Sequence, residues 1–149
     1  MAIHFHFQKP TSLLNRRLLK SFISDIFDKE EKKFGQIEFV FCDNAYLLGI
    51  NQTFLKHDYF TDVVSFNLSD TGSSKIEGEI YISVDMVREN SVRFKVSFAR
   101  ELTRVIFHGI LHLCGYDDVK QPDKLVMKKK ENFYLAAFLN SAENITLQI

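Results

Sequence analysis

The stretch His108-Gly109-Ile110-Leu111-His112-Leu113-Cys114-Gly115-Tyr116-Asp117-Asp118 reads as the last turns of an amphipathic helix, a glycine stop and a returning acidic loop. Residues four apart on a helix lie about 40° apart around its axis and about 6 Å apart along it, so the imidazoles of His108 and His112 can converge on one ion. Counted from His108, the residues Phe98, Leu102, Val105, Ile106, Ile110 and Leu113 form one broad apolar arc with both histidines at its edge. That is where a helix packed on a sheet borders a cleft. Gly115 suits the left-handed conformation that ends a helix and turns the chain back, which brings Asp117 or Asp118 toward the histidines. Two histidines and a carboxylate leave a fourth position on a zinc ion for water, as catalytic rather than structural zinc requires. A zinc peptidase of the His-Glu-x-x-His type carries its general base where Gly109 stands here. Glu101 is on the same side but about 10 Å up the helix. A metal hydrolase is therefore expected, and a peptidase is disfavoured.

Outward from this stretch, the pattern is helical from about Arg93 to Cys114 and again from Pro122, a residue suited to a first helical turn, to about Asn140. Near the start, Ile3-His4-Phe5-His6-Phe7 alternates strictly, as a half-buried strand does, and the alternation itself accounts for two outward histidines. Pro10 ends that strand. Thr11 or Ser12 is expected to cap a helix that carries Leu14, Leu18, Leu19, Phe22, Ile23, Ile26 and Phe27 and runs to about Lys33, with Gly35 just beyond. Ile37 to Cys42, Val63 to Phe66 and Ile80 to Val84 are rich in strand formers, and the last two are expected to pair across the polar Ser69 to Glu77 connection. The order strand, helix, strand, short helix, two strands, helices predicts a single α+β domain over residues 1–149. Its mixed four-stranded sheet carries packed helices, with a metal site at the end of a central one.

A chain of 149 residues is long enough for one core, burying roughly 70% of its unfolded surface. Apolar residues at 46% and charged residues at 26% exclude intrinsic disorder, and the 15 Phe are expected to fill the core. Lys plus Arg equal Asp plus Glu at 19 each, so no global field draws the protein to nucleic acid or anionic lipid, and any RNA contact must be local. The most basic stretch sets Arg88, Arg93, Lys95, Arg100 and Arg104 against Glu89 and Glu101, whereas Lys128 to Lys130 reads as a solvated helix face. Cys42 and Cys114 stand among apolar residues, as buried free thiols do. Neither a signal core nor an apolar run of about 20 residues is present, which excludes a membrane partner and leaves a cytoplasmic address as the expectation.

The quoted stretch resembles the signature of the YbeY family of bacterial rRNA maturation factors, described as single-strand-specific endoribonucleases. The family motif His-Gly-x-Leu-His-Leu-x-Gly-Tyr-Asp-His matches His108 through Asp117. A second, Asn-x-x-Tyr-Arg-x-x-Asp-x-x-Thr-Asp-Val-Leu-Ser-Phe, is similar to Asn51 through Phe66, with Asn51, Asp58, Thr61, Asp62, Val63, Ser65 and Phe66 agreeing. The resemblance implies a metal-dependent endoribonuclease in 16S rRNA 3′-end processing and ribosome quality control, partnered by rRNA or the ribosomal subunit and not by DNA. It implies His108, His112 and Asp118 as ligands of one divalent ion per chain, zinc by preference, although nickel or copper accept the same donors. No side chain is assigned as catalytic, since the reacting group is expected to be a water on the metal. Thr61, Ser65, Arg100 and Arg104 are the expected walls of the RNA cleft.

Two departures from the family pattern matter. Asp118 replaces the third histidine, and its charge weakens the ion as a Lewis acid relative to three neutral imidazoles. The family arginine falls on Leu55, which removes a planar phosphate donor; Arg104 and Lys56 are the candidate stand-ins, although an ordinary surface cation is the favoured expectation for each. That loss makes a ribosome-associated binding factor with a structural metal the competing expectation.

Overall fold

Alternating apolar residues in β1 (Ala2–Phe7) and β4 (Lys75–Ser83), and apolar strand-forming runs in β2 (Lys33–Cys42) and β3 (Val63–Asn67), build one sheet of order β1-β2-β4-β3. The structure is a computed structural model that describes residues 1–147. β1 and β4 run parallel to β2, and β3 runs antiparallel to β4, so the sheet is mixed as expected. The register sets Phe5 beside Phe39 and Phe39 beside Ile80. Ile3, Ile37, Phe39, Phe41, Ile80 and Ile82 are buried in the main core, to which Phe27, Phe107 and Phe138 add rings from the helices. Those helices are α1 (Arg16–Lys29), α4 (Phe98–Leu113) and α5 (Gln121–Leu147). On the other face, α2 (Asn44–Ile50) continues into a π-helical turn over Asn51–Leu55 and packs Leu47 against Cys42 and Val64. Val84–Phe94 forms α3, which leads into α4.

Several boundaries differ from the sequence expectation. The cap of α1 is Asn15 rather than Thr11 or Ser12: its φ is +51°, which an asparagine tolerates, and its side-chain oxygen accepts from Leu18 N at 3.1 Å. Leu14 therefore stays outside the helix, 39% exposed. The helix ends at Lys29 instead of about Lys33, and Gly35 lies inside β2. An early strand start lets Phe34 bury itself against Phe27, their rings 4.5 Å apart. The helix expected from about Arg93 is two helices, broken where Lys95 takes φ +58°. The final helix reaches Leu147, beyond the expected Asn140. The phenylalanine excess is not all core, since Phe54, Phe60, Phe94 and Phe133 are exposed.

The approach of α4 to the sheet positions the site. A Cβ on Gly109 would stand 2.8 Å from Ile80 Cγ2 and 3.2 Å from Ser65 Oγ, so only a glycine lets the helix lie this close to β3 and β4. Ser65 Oγ closes the contact by donating to the Gly109 carbonyl at 3.0 Å. The position that excludes a peptidase base is thus one where any side chain would push the helix off the sheet.

Candidate metal centre

α4 is capped at its start by Ser97, whose hydroxyl accepts from Arg100 N at 3.1 Å, and at its end by Cys114. Gly115 then takes φ +106°, and Tyr116 N donates back to Leu111 O at 3.1 Å. This tight return sets Asp118 Oδ2 3.2 Å from His108 Nε2 and 3.5 Å from His112 Nε2, with the two Nε2 atoms 3.0 Å apart. The imidazole planes meet at 81°. Zinc holds such ligands at about 2.0–2.1 Å, which puts tetrahedral neighbours about 3.3 Å from one another. The three donor atoms therefore have the spacing of three tetrahedral corners, and their chemistry suits a divalent ion. Among the described residues they form the one group of His, Cys, Asp or Glu whose ligand atoms all lie within 4.8 Å of one another. Asp117, the other carboxylate of the returning loop, is exposed and outside the group.

Behind the triad lies a buried charge network that the sequence reading missed. Glu131 of α5, only 6% exposed, brings Oε2 to 2.5 Å from His108 Nδ1 and takes the Arg104 guanidinium on Oε1 at 2.9 Å. Arg104 also donates to both oxygens of buried Glu101, at 2.9 and 2.7 Å, and reaches Asp62 at 3.5 Å. With Nδ1–H directed to Glu131, His108 presents the Nε2 lone pair to the triad, as a metal-ligating imidazole must. Burial works against ionising Glu131, but the hydrogen bond and charge of His108 and those of Arg104 outweigh it and hold its carboxyl below the usual range. Burial likewise opposes protonation of His108, and Glu131, Asp118 and Asp62 reverse it, so the imidazole lies above its ordinary value without a metal. Arg104 is raised as well: Glu101 and Glu131 more than offset the cost of its burial. A sequence signal for Glu131 does exist. Met127, Glu131 and Leu135 are spaced by four, which puts a carboxylate on the inward stripe of α5.

Two cavities adjoin the triad. One, of about 430 Å3, is bounded by His108 and Asp118 together with Arg100, Arg104, Lys124 and Lys128. The other, of about 440 Å3, is bounded by His112 and Asp118 together with Leu55, Thr61 and Ser65. The four expected cleft residues thus border the triad, but they are not equally available. Arg100 is exposed. Arg104 is engaged by three carboxylates and is no free stand-in for the lost arginine. Ser65 has its hydroxyl proton on Gly109, and Thr61 Oγ1 donates weakly to Val63 O at 3.4 Å. Leu55, the position of the expected family arginine, lies on the wall of the second cavity with His112 and Asp118. Lys128 is exposed, as a solvated face requires, and also borders the first cavity with Arg100, whereas Lys130 pairs with Glu30 at 3.0 Å. Both cysteines are buried and free, their thiols pushed up to about 12 chiefly by burial, so neither offers a thiolate to a metal at neutral pH.

The family model described as endoribonuclease YbeY matches residues 5–139. The endoribonuclease YbeY of Flavobacterium psychrophilum is 45% identical over 136 residues, 91% of each chain. That of Chlorobium limicola is 42% identical over 133 residues, 89% of this chain and 90% of its own. The solution structure of TM1509 from Thermotoga maritima superposes with a TM-score of 0.66 at 27% identity, covering 96% of this chain and 93% of that one. The extent of these matches, over residues 5–139 for the family model and 91% of the chain for the relative from Flavobacterium psychrophilum, means that the chain belongs to the endoribonuclease YbeY family.

Proposed function

We propose that this chain is a metal-dependent endoribonuclease that hydrolyses phosphodiester bonds of single-stranded RNA in ribosomal RNA maturation, with one zinc ion on His108, His112 and Asp118. It acts in the cytoplasm on rRNA or the ribosomal subunit, an address that follows from the substrate. The observation that carries the reading is the convergence of Nε2, Nε2 and Oδ2 at 3.0 to 3.5 Å in a chain of the YbeY family. When bound there, a divalent ion supplies Lewis acidity toward water and toward a phosphodiester oxygen. The remaining work falls to the chain itself. Glu131 fixes the His108 tautomer, Arg104 holds Glu131 in place, and Glu101 balances Arg104. Because Glu101 and Glu131 are both engaged, neither is placed as a free general base. Arg100, Lys124 and Lys128 give the His108 side of the triad a cationic wall suited to the RNA backbone.

The test is metal analysis of untagged protein together with single-turnover cleavage of single-stranded RNA, on wild type and on His112→Ala. One equivalent of zinc and metal-dependent cleavage in wild type are expected, both lost in the variant. A wild type that takes up zinc but leaves RNA intact would overturn the enzymatic reading, and one that takes up none would overturn the site.

A further inference from the structure

The two cavities beside the triad differ in chemistry. The cavity on the His108 side carries Arg100, Lys124 and Lys128. The cavity on the His112 side has no Lys or Arg among the described residues of its lining, and it includes Asp117 and Asp118. A phosphate placed there would meet Asp117 and Asp118 with no lysine or arginine of the lining to offset them. What that wall does present is a pair of rings, His57 and Tyr59, stacked at 5.0 Å between centroids and 19° between planes. The Tyr59 hydroxyl lies 2.9 Å from His57 Nδ1, and Tyr59 is 55% exposed. The loop that carries the pair is held from below. Asn51, buried at 1% exposure, donates from Nδ2 to Tyr59 O at 3.0 Å, and Gln52 Nε2 donates to Asp58 Oδ1 at 2.6 Å. Such a pair adds little to the core, yet it borders the same cavity as His112 and Asp118.

We propose that this cavity is a base-binding subsite, in which an unpaired RNA base stacks on the His57–Tyr59 pair while the adjoining phosphates lie toward the triad and the cationic cavity. The inference rests on the ribonuclease reading above. Every base has a π-face, and stacking on aromatic side chains is the usual way in which a protein grips a single strand without reading its sequence. A base inside a duplex has both faces covered, so the subsite selects unpaired RNA. At about 440 Å3 the cavity falls within the roughly 300–1,000 Å3 of ordinary ligand sites.

The chain has no tryptophan, so Tyr59→Trp places a single fluorescent reporter on the platform. Titration with a short single-stranded oligoadenylate, with and without zinc, should quench this reporter, and an abasic oligomer of the same length should not. Tyr59→Phe should bind oligoadenylate like wild type, while Tyr59→Leu should bind roughly five- to a hundredfold more weakly, with melting temperature and zinc content unchanged. No quenching in either condition, equal quenching by the abasic oligomer, or unaltered binding by Tyr59→Leu would overturn the subsite. RNA cleavage by the zinc-loaded wild type, measured separately, distinguishes the two readings. Cleavage with unaltered KM in Tyr59→Leu sinks the subsite alone. Base-dependent quenching without cleavage sinks the ribonuclease reading and leaves a single-strand binding site.

Discussion

Asp118 reaches the triad because Gly115 and the Tyr116 N to Leu111 O bond fold the loop tightly onto the helix, compensating for a carboxylate that is shorter than an imidazole. Asp118→Ala should weaken zinc binding by at least about tenfold, since a lost ligand costs no less than a lost supporting contact. Asp118→His should retain zinc and, with three neutral ligands on a more Lewis-acidic ion, lower the pH at which cleavage begins. Competition with a chromophoric chelator and a pH–rate profile measure both effects; zinc loss in Asp117→Ala but not in Asp118→Ala would reverse the assignment. A second residue-level expectation concerns Leu55, which borders the same cavity as His112 and Asp118. Leu55→Arg restores a charge-assisted phosphate contact, and single-turnover cleavage should rise roughly tenfold or more. The His-x-x-x-His pair and the glycine stop were legible because they lie within one local stretch. Glu131 was not, because it meets His108 across 23 residues of chain, and only its odd place on an apolar stripe marks it.

At the level of elements, Glu30 joins three parts of the chain that the site depends on. It follows α1, accepts hydrogen bonds from the Tyr116 hydroxyl of the returning loop and the Tyr134 hydroxyl of α5, and pairs with Lys130. Burial alone would raise its pKa, but these three donors outweigh that and hold its carboxyl below the usual 4.5. A depressed carboxylate stabilises the fold at pH above its unfolded value and loses that contribution as pH falls through the folded one. Glu30→Gln should therefore cost roughly 1–3 kcal/mol near neutral pH, and its deficit against wild type should shrink as pH drops below about 4.5. Urea unfolding across that range checks this, and a deficit independent of pH would assign the effect to packing instead. The strands and the amphipathic α4 were legible because their periodicity is set by burial on one face. The break between α3 and α4 was not, because the pattern stays helical on both sides of Lys95. A non-glycine residue with positive φ leaves no mark in composition. Asn15 misled for a related reason: Thr11 and Ser12 are equally good caps by residue type, and only the packing of Leu19 and Ile23 decides where α1 begins.

Over the whole molecule the charges cancel, 19 against 19, so attraction for RNA depends on where cations stand free of carboxylates. Arg104 precedes His108 by one turn of α4, yet Glu101, Glu131 and Asp62 already surround it. Lys130 is paired with Glu30, and Lys9 with Asp85. Arg100, Lys124 and Lys128 border the cavity beside His108 and Asp118, which they approach from the start of α4 and the first turns of α5. Each phosphate neutralised by such a cation releases a counterion, and for single strands the logarithm of affinity falls with the logarithm of salt at about 0.7 per contact. Arg100→Ala, Lys124→Ala and Lys128→Ala should each weaken RNA binding and each make the salt dependence shallower by about that amount. Lys129→Ala, on the same helix but away from this cavity, should alter neither. Arg104→Ala should behave differently from all of these, leaving buried Glu101 without its ion-pair partner and Glu131 with His108 alone, so that it lowers the melting temperature rather than the salt slope. Filter binding at several salt concentrations, with thermal unfolding in parallel, separates the two behaviours. If Lys129→Ala reduces the slope and Arg100→Ala does not, the RNA backbone runs along the outer face of α5 and not through the cavity beside His108.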